Sequence, residues 1–170
     1  MRWPVVAALL LTAACGQATA SVPTTAAPGA LEPNATIEYV VDGDTVDVLI
    51  DDQQERVRLI GIDTPEIAHR GQPEPSECFG DEATTFTKSL LPVGTSVHLE
   101  RDVVARDDYG RLLGYIYRAS DGVFVNYEIV RQGYAQPLTI PPNVAFSELI
   151  VQAARDAEAD QAGLWNACRS

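Results

Sequence analysis

A short segment of the sequence brings together residue types that could bind a metal and cleave a phosphodiester. The stretch RLIGIDTPE, residues 58–66, holds an arginine, an aspartate, a threonine and a glutamate within nine positions. Hard divalent cations such as calcium take oxygen ligands from carboxylates and backbone carbonyls. Asp63 and the earlier Asp44 supply two carboxylates, and the Thr64 carbonyl supplies a third oxygen. The sequence therefore predicts a calcium site at Asp44, Asp63 and Thr64.

Three further residues fit the hydrolysis of a phosphodiester. Glu66 follows the rigid Pro65 and is predicted to act as general base on a water near the metal. Arg58 and Arg111 are predicted to bind the nonbridging oxygens, because the planar guanidinium fork suits phosphate. Charge grows on those oxygens as water attacks, so the arginines would stabilise the transition state. Taken singly, each residue also has an ordinary interpretation, as a turn, cap, loop or surface ion-pair residue.

The elements that must position these residues begin with a strand meander. TIEYVVDGDTVDVLID alternates in two runs around the Asp-Gly turn at 42–43, which is typical of a hairpin. ERVRLIGI continues as a third strand, so the meander covers residues 36–62. Strict alternation would place Asp63 opposite Arg58. Gly61 therefore predicts a bulge that turns Asp63 to the side of Arg58.

Three helices and two more strands complete the predicted fold. Apolar spacing predicts helices over 81–91, around NYEIVRQG and over 144–162, the second with Asn126 as its N-cap and Gly133 as its terminator. TSVHLER and RLLGYIYR predict strands four and five. This order predicts a mainly β, α+β fold, a five-stranded Greek-key barrel of the OB-fold type with three helices. A general α+β sheet fits the same order.

The N-terminal region is typical of an export signal followed by a linker. A basic residue precedes an apolar run at 5–11 that is too short to span a bilayer. The triplet before Cys15 resembles the lipobox of bacterial lipoproteins, with threonine where leucine is more usual. Cys15 is thus either lipidated or removed with an ordinary signal peptide. Residues 16–35 predict a flexible linker and residues 36–170 the folded domain.

Two cysteines remain in the predicted domain, Cys78 and Cys168. In an exported protein they most simply form one disulfide. Two free buried thiols are the alternative. Metal binding is disfavoured, because neither cysteine lies in a CxxC motif or near a histidine.

The charge balance limits the ways in which this protein could bind an anion. The chain has 12 basic and 24 acidic residues, a net charge of −12, and Lys88 is its only lysine. This argues against a protein that coats long polyanions by diffuse attraction. Anion binding must be local. Six arginines fall within the stretch that contains the charged segment: Arg56, Arg58, Arg70, Arg101, Arg106 and Arg111.

Six blocks in order resemble the thermonuclease family, the staphylococcal-nuclease-like proteins. The blocks are DGDTV (42–46), VRLIGIDTPE (57–66), FGDEATTFTK (79–88), DDYGRLLGYIY (107–117), VNYEIVRQGYA (125–135) and the closing GLW. The resemblance covers residues 36–166 and implies an OB-fold barrel that cleaves DNA and RNA with calcium, leaving 3′-phosphates. It also implies these roles: Asp44, Asp63 and Thr64 for calcium, Arg58 and Arg111 for phosphate, Glu66 for the base and Tyr109 for the nucleotide pocket.

The chain departs from the family pattern in three places. Asp108 stands where members that hold DNA through lysines have a basic residue. The loop after Glu66 is longer and carries Glu74 and Glu77. The QPLTIPPN segment is shorter and lacks the tyrosines that the family offers to the substrate base. These differences concern substrate affinity and polynucleotide preference, and they leave the predicted cleavage residues unchanged.

The sequence therefore predicts a monomeric calcium-dependent nuclease outside the cytoplasm, secreted or anchored to the membrane through a lipid on Cys15. Its expected substrates are DNA, RNA or both. The main alternative is a non-catalytic OB-fold module that binds oligonucleotides or a protein partner at the envelope. The acidic surface and the altered loop support that alternative. A third hypothesis is a surface lipoprotein whose calcium site is only structural.

Overall fold

A closed five-stranded barrel forms the body of the protein. The computed structural model describes residues 29–68 and 75–168, in which the strands are β1 (Ala35–Val40), β2 (Thr45–Ile50), β3 (Gln53–Leu59), β4 (Gly61–Asp63), β5 (Ser96–Glu100), β6 (Leu112–Arg118) and β7 (Gln136–Leu138). The barrel order is β1-β2-β3-β6-β5, and every pair is antiparallel except β3 with β6. The predicted α+β barrel is confirmed.

Apolar residues at alternate positions of the strands fill the barrel. Val46 and Val48 of β2 are fully buried, as is Val57 on the neighbouring β3. Asp47 of β2 points away from this core but is also buried, because the Arg56 side chain pairs with it across the hairpin at 2.7 Å. The hairpin is therefore packed on its inner face and cross-linked by this ion pair on its outer face, and β2 directly follows the turn at 42–44.

The third strand differs from its prediction in a way that matters for the site. It ends at Leu59, and the chain leaves the barrel to form β4, which pairs with β7 in a separate two-stranded sheet. Gly61 has a φ of +85°, and a Cβ there would lie 2.5 Å from Ile150 Cδ1. The predicted bulge is thus a change of sheet, which glycine permits by its conformation and its lack of a side chain.

Four helices occur in the described part of the chain, one more than predicted: α1 (Gly80–Leu90), α2 (Val125–Arg131), α3 (Ser147–Ala159) and the short α4 (Leu164–Ala167). The prediction of Asn126 as an N-cap is wrong. Its buried amide accepts a hydrogen bond from Ile116 N at 3.0 Å and donates one to Ile60 O at 2.9 Å. Asn126 therefore satisfies backbone groups inside the core, where an unpaired polar group would be costly.

The last long helix is shorter than predicted. It begins at Ser147 rather than at position 144 and ends at Ala159. The predicted signal sequence, Cys15 and the linker up to residue 28 lie outside the described residues, as does Glu74. None of the helices in the described residues is long and apolar enough to cross a membrane.

Candidate active site

The Arg58 guanidinium lies between the two predicted metal-binding carboxylates. Its Nη1 is 2.7 Å from Asp44 Oδ2, and its Nη2 is 2.8 Å from Asp63 Oδ1. Nη1 also donates to the carbonyl of Ile62 at 3.0 Å. Arg58 stands opposite Thr45 in the β2–β3 register, next to the turn that carries Asp44. The strand framework therefore brings Asp44, Arg58 and Asp63 together, although 19 positions separate the two aspartates.

Thr64 joins the same cluster through Asp44. Its backbone N–H and its hydroxyl both donate to Asp44 Oδ2, at 2.8 and 3.0 Å. Gly43 makes this approach possible, because a Cβ there would lie 2.7 Å from three atoms of the Thr64 side chain. Thr87 of α1 further fixes the turn by donating its hydroxyl to Gly43 O at 2.7 Å. The turn and the end of β4 thus hold each other in register.

Burial changes the acidity of both carboxylates in this cluster. Burial raises the pKa of Asp44, and the opposing attraction of Arg58 does not fully cancel that effect. The pKa of Asp63 is also raised, first by its partial burial and then by the negative charge of Asp44, against the effect of Arg58. Two carboxylates share one guanidinium, so this cluster carries excess negative charge. Its oxygen donors suit a hard divalent cation.

Arg111 is presented by a tight turn that is organised around Asp107. Asp107 Oδ2 accepts from Arg111 Nε at 2.6 Å, and Oδ1 accepts from the backbone N–H groups of Tyr109 and Arg111 at 3.0 and 2.9 Å. These donors outweigh the effect of burial and lower the pKa of Asp107. The two Nη atoms of Arg111 have no hydrogen-bond or ion-pair partner in the described residues. They are therefore available to a ligand.

A cleft of about 460 Å³ connects the two arginines. Its wall includes Arg58, Tyr109 and Arg111, and on the other side Leu138 and Ile140. Tyr109 is 86% exposed, and the Arg111 guanidinium lies 5.4 Å from the centre of its ring. The cleft has two cationic groups and an aromatic and aliphatic wall. This combination suits a ligand that carries both a phosphate and a base.

Glu66 lies just beyond the cluster on an exposed loop. Its carboxylate makes no hydrogen bond or ion pair with the described residues, and it is not part of the cleft wall. Its backbone is held firmly, since Glu66 N donates to Glu77 Oε2 at 3.0 Å and Glu66 O accepts from Glu77 N at 2.8 Å. Gly80 packs against the same carbonyl. The side chain is therefore exposed while its backbone is fixed.

A disulfide anchors this loop. Cys78 and Cys168, for which the sequence predicts a bridge, are joined, and the bond spans a sequence separation of 90. Cys78 directly follows Glu77, the residue that holds the Glu66 backbone. The bridge therefore ties the loop beside Glu66 to α4 at the end of the described chain.

Sequence reasoning missed residues that support the predicted ones. Asp107 lies in the DDYGRLLGYIY block and Glu77 in the acidic loop after Glu66, and the sequence assigns neither residue a role. In the structure Asp107 orients the Arg111 side chain, and Glu77 holds the Glu66 backbone. For Asp107 a local signal existed, because an aspartate before a glycine-containing turn commonly accepts backbone hydrogen bonds two residues on.

The described residues contain no group of three or more His, Cys, Asp or Glu side chains that could hold a metal. The two carboxylates that Arg58 brings together, those of Asp44 and Asp63, could contribute oxygen ligands to a cation.

Comparison with known proteins gives consistent matches. A family model described as staphylococcal nuclease homologue matches residues 56–167. Thermonuclease of Staphylococcus intermedius is 39% identical over 129 residues, covering 76% of this chain and 74% of that protein. Thermonuclease of Staphylococcus hyicus is 35% identical over 127 residues, covering 75% and 72%. Endonuclease YhcR of Bacillus subtilis is 33% identical over 141 residues, covering 79% of this chain but only 12% of that protein.

Proposed function

We propose a specific reaction for this chain, which belongs to the staphylococcal nuclease family and is a hydrolytic nuclease. The chain hydrolyses phosphodiester bonds of DNA, RNA or both in the presence of calcium and releases 3′-phosphate products. The main support is the cluster in which Arg58 joins Asp44 and Asp63, with Arg111 facing the same cleft.

Calcium fits the donors that this chain offers. Asp44, Asp63 and the Thr64 carbonyl would hold the ion, and their ligand atoms are all oxygens. The excess negative charge around Arg58 favours an added cation. When bound, the ion supplies Lewis-acid polarisation of a phosphoryl oxygen and neutralises its charge.

The arginines bind the phosphate and stabilise its transition state. Arg111 offers two free Nη groups, while its Nε is oriented by Asp107. The Nη1 of Arg58 already binds two backbone carbonyls and Asp44. Its Nε–H and one Nη2–H make no hydrogen bond with described residues. These donors contact the nonbridging oxygens, where charge increases as water attacks. Such contacts strengthen in the transition state and therefore raise kcat.

Glu66 acts as general base. Its carboxylate removes a proton from the attacking water, and the exposed position leaves it free of competing partners in the described residues. The rigid Pro65 and the two backbone hydrogen bonds with Glu77 fix the point from which the side chain reaches out. The leaving group is the 5′ oxygen of the next nucleotide, so the phosphate stays on the 3′ side.

The test is an assay of the purified protein on end-labelled DNA and RNA, with calcium and with chelator. Wild-type protein should cleave only with calcium, and the new 5′ ends should accept phosphate from a kinase without prior dephosphorylation. Glu66→Gln should lower kcat by roughly 10²- to 10⁴-fold. Glu82→Gln is the matched control, because Glu82 is an exposed glutamate with no hydrogen bond or ion pair in the described residues.

Two results would refute this assignment. Undiminished cleavage by Glu66→Gln would remove Glu66 as the base. Retention of labelled oligonucleotide without any product would favour a binding module over an enzyme.

The proposal extends to the cell envelope. An N-terminal export signal and the Cys78–Cys168 disulfide support a protein that acts outside the cytoplasm, secreted or anchored through Cys15. Incorporation of a labelled fatty acid into the full chain, lost in Cys15→Ser, would establish the anchor. A processed protein found only in the medium would exclude it.

A further inference from the structure

The Arg106 side chain links the turn that carries Arg111 to the barrel. Its Nη1 and Nη2 bind the two carboxylate oxygens of Glu55 on β3 at 2.9 and 2.7 Å, and Nη1 also donates to Gly110 O at 2.7 Å. Two parallel hydrogen bonds to one carboxylate fix the plane of the guanidinium. The Glu55–Arg106 pair therefore holds the carbonyl of Gly110 at a defined place relative to β3.

That carbonyl belongs to the peptide immediately before Arg111. Gly110 has a φ of +82°, its N–H donates to Asp107 O at 3.0 Å, and Arg111 O accepts from Asp107 N at 3.0 Å. Within the turn, Asp107 sets the direction of the Arg111 side chain. The backbone already joins the two ends of the turn, through the Arg106–Leu112 bridge and a hydrogen bond from Leu113 N to Ala105 O at 2.9 Å, and β6 begins directly after Arg111. Arg106 supplies a side-chain link from the turn to β3.

The same strand carries the other phosphate-binding arginine. Arg58 follows Glu55 by three residues on β3, and in the parallel pairing of β3 with β6 it stands opposite Leu113. The Glu55–Arg106 pair thus relates the position of the Arg111 turn to the strand of Arg58. Both side chains are partly exposed, 47% for Arg106 and 26% for Glu55. A pair this exposed contributes little to folding, so its removal should leave the protein folded.

We propose that Glu55 and Arg106 are positioning residues, which hold the Arg111 turn against β3 so that both arginines meet one phosphate. This inference rests on the proposed nuclease function. Neither residue touches the substrate. Their loss acts through Arg111, and it lowers transition-state stabilisation more than ground-state binding, because small displacements of an oriented group are costly.

The test is a double-mutant cycle measured on an end-labelled oligonucleotide with calcium. Arg106→Gln and Glu55→Gln should each lower kcat by roughly 10-fold while KM changes by less than about 3-fold. In an Arg111→Gln background, Arg106→Gln should add less than about a 2-fold loss, since its target is already absent. Arg106→Lys, which keeps the charge without the planar fork, should recover only part of kcat.

A matched control lies at the other end of β6. Arg118 likewise pairs with a carboxylate, Asp121, and donates to a backbone carbonyl, that of Leu90. Arg118→Gln should leave kcat unchanged. Thermal unfolding of every variant verifies that each is folded under assay conditions.

A second readout does not depend on catalysis. The Arg111 Nε–H, hydrogen-bonded to Asp107, should give a sharp, slowly exchanging NMR signal that broadens in Arg106→Gln but not in Arg118→Gln. Equal kcat losses for Arg106→Gln with and without Arg111, or an unchanged Nε–H signal, would overturn the proposal. If the wild type cleaves no nucleic acid, the nuclease reaction is refuted, and the NMR signal alone decides whether Glu55 and Arg106 hold Arg111.

Discussion

The candidate site has two parts that are built differently. The barrel part consists of Asp44, in the turn before β2, and Arg58, on β3; their side chains are 8% and 15% exposed, and each has several partners. The loop part, Glu66 and Arg111, projects from segments outside the strands, with an exposed carboxylate and a guanidinium held only at Nε. In the barrel part the side chains themselves are fixed. In the loop part mainly the backbone is fixed.

This difference follows from what each part is proposed to do. Burial raises the pKa of Asp44, and Arg58 and the two Thr64 donors oppose that effect only in part. A group that exchanges protons with water or reaches a flexible substrate must remain accessible. Activity and stability should therefore be coupled in the barrel part and separate in the loop part.

The largest expected effect tests this coupling directly. Arg58→Ala and Arg111→Ala should each lower kcat by about 10²- to 10³-fold, because each removes charge stabilisation of the transition state. Arg58→Ala should also lower the free energy of unfolding by about 3 kcal/mol, since it leaves Asp44 buried without its cation. Arg111→Ala should cost less than about 1 kcal/mol, because its pair with Asp107 is partly exposed. Urea unfolding and single-turnover kinetics measure the two quantities, and equal losses of stability would contradict the division.

Removal of the disulfide should have the next largest effect on kcat and should act through the loop part. Replacing Cys78 and Cys168 by serine should lower the free energy of unfolding by about 4.6 kcal/mol in the chain-entropy model. We also expect kcat to fall a few-fold, because Glu77, beside Cys78, holds the Glu66 backbone. In the Glu66→Gln background this fall in kcat should disappear. A loss of kcat of the same size in that background would show that the bridge acts elsewhere.

Calcium should stabilise the barrel part by a smaller amount. A ligand present at 100 times its dissociation constant adds about 2.7 kcal/mol to the free energy of unfolding. Asp63→Asn should abolish this gain without unfolding the protein, because the Asp63 side chain is 55% exposed. Asp108→Asn, a change to an exposed carboxylate at the cleft, should retain it. Calorimetric titration and thermal unfolding measure the two effects, and an equal gain in Asp63→Asn would exclude Asp63 as a ligand.

The barrel and the meeting of Asp44, Arg58 and Asp63 could be predicted because they depend on local patterns. Alternation fixes which face of a strand a side chain occupies, and the Asp-Gly turn fixes the hairpin register. The predicted irregularity of the strand at Gly61 is confirmed, but it is a change of sheet and not a bulge. A bulge and a change of sheet start from the same local signal, and the choice depended on the distant β7 and Ile150.

The supporting contacts between distant segments could not be predicted, because no local pattern joins their partners. Glu55 and Arg106 are 51 positions apart, and no local pattern pairs them. Asn126 has the residue type of a helix cap, but it lies inside α2, where its amide binds the peptide groups of Ile60 and Ile116. Tertiary hydrogen bonding thus prevailed over a local preference.

The smallest expected effect concerns Asp102, whose partner Val103 directly precedes Val104 of the cleft wall. Burial alone would raise the pKa of Asp102, but hydrogen bonds from Ala145 N, the Tyr115 hydroxyl and Val103 N lower it below its ordinary value. A depressed folded-state pKa stabilises the protein above the unfolded-state pKa, and this contribution is lost as pH falls through the folded-state value. Asp102→Asn should therefore lower the free energy of unfolding by about 1 kcal/mol at neutral pH, and the difference from wild type should vanish in acid. Urea unfolding as a function of pH measures this. If the difference in free energy of unfolding persists in acid, the variant changes packing rather than charge. The segment around Asp102 would then resemble the barrel part, because it would depend on fixed side-chain contacts.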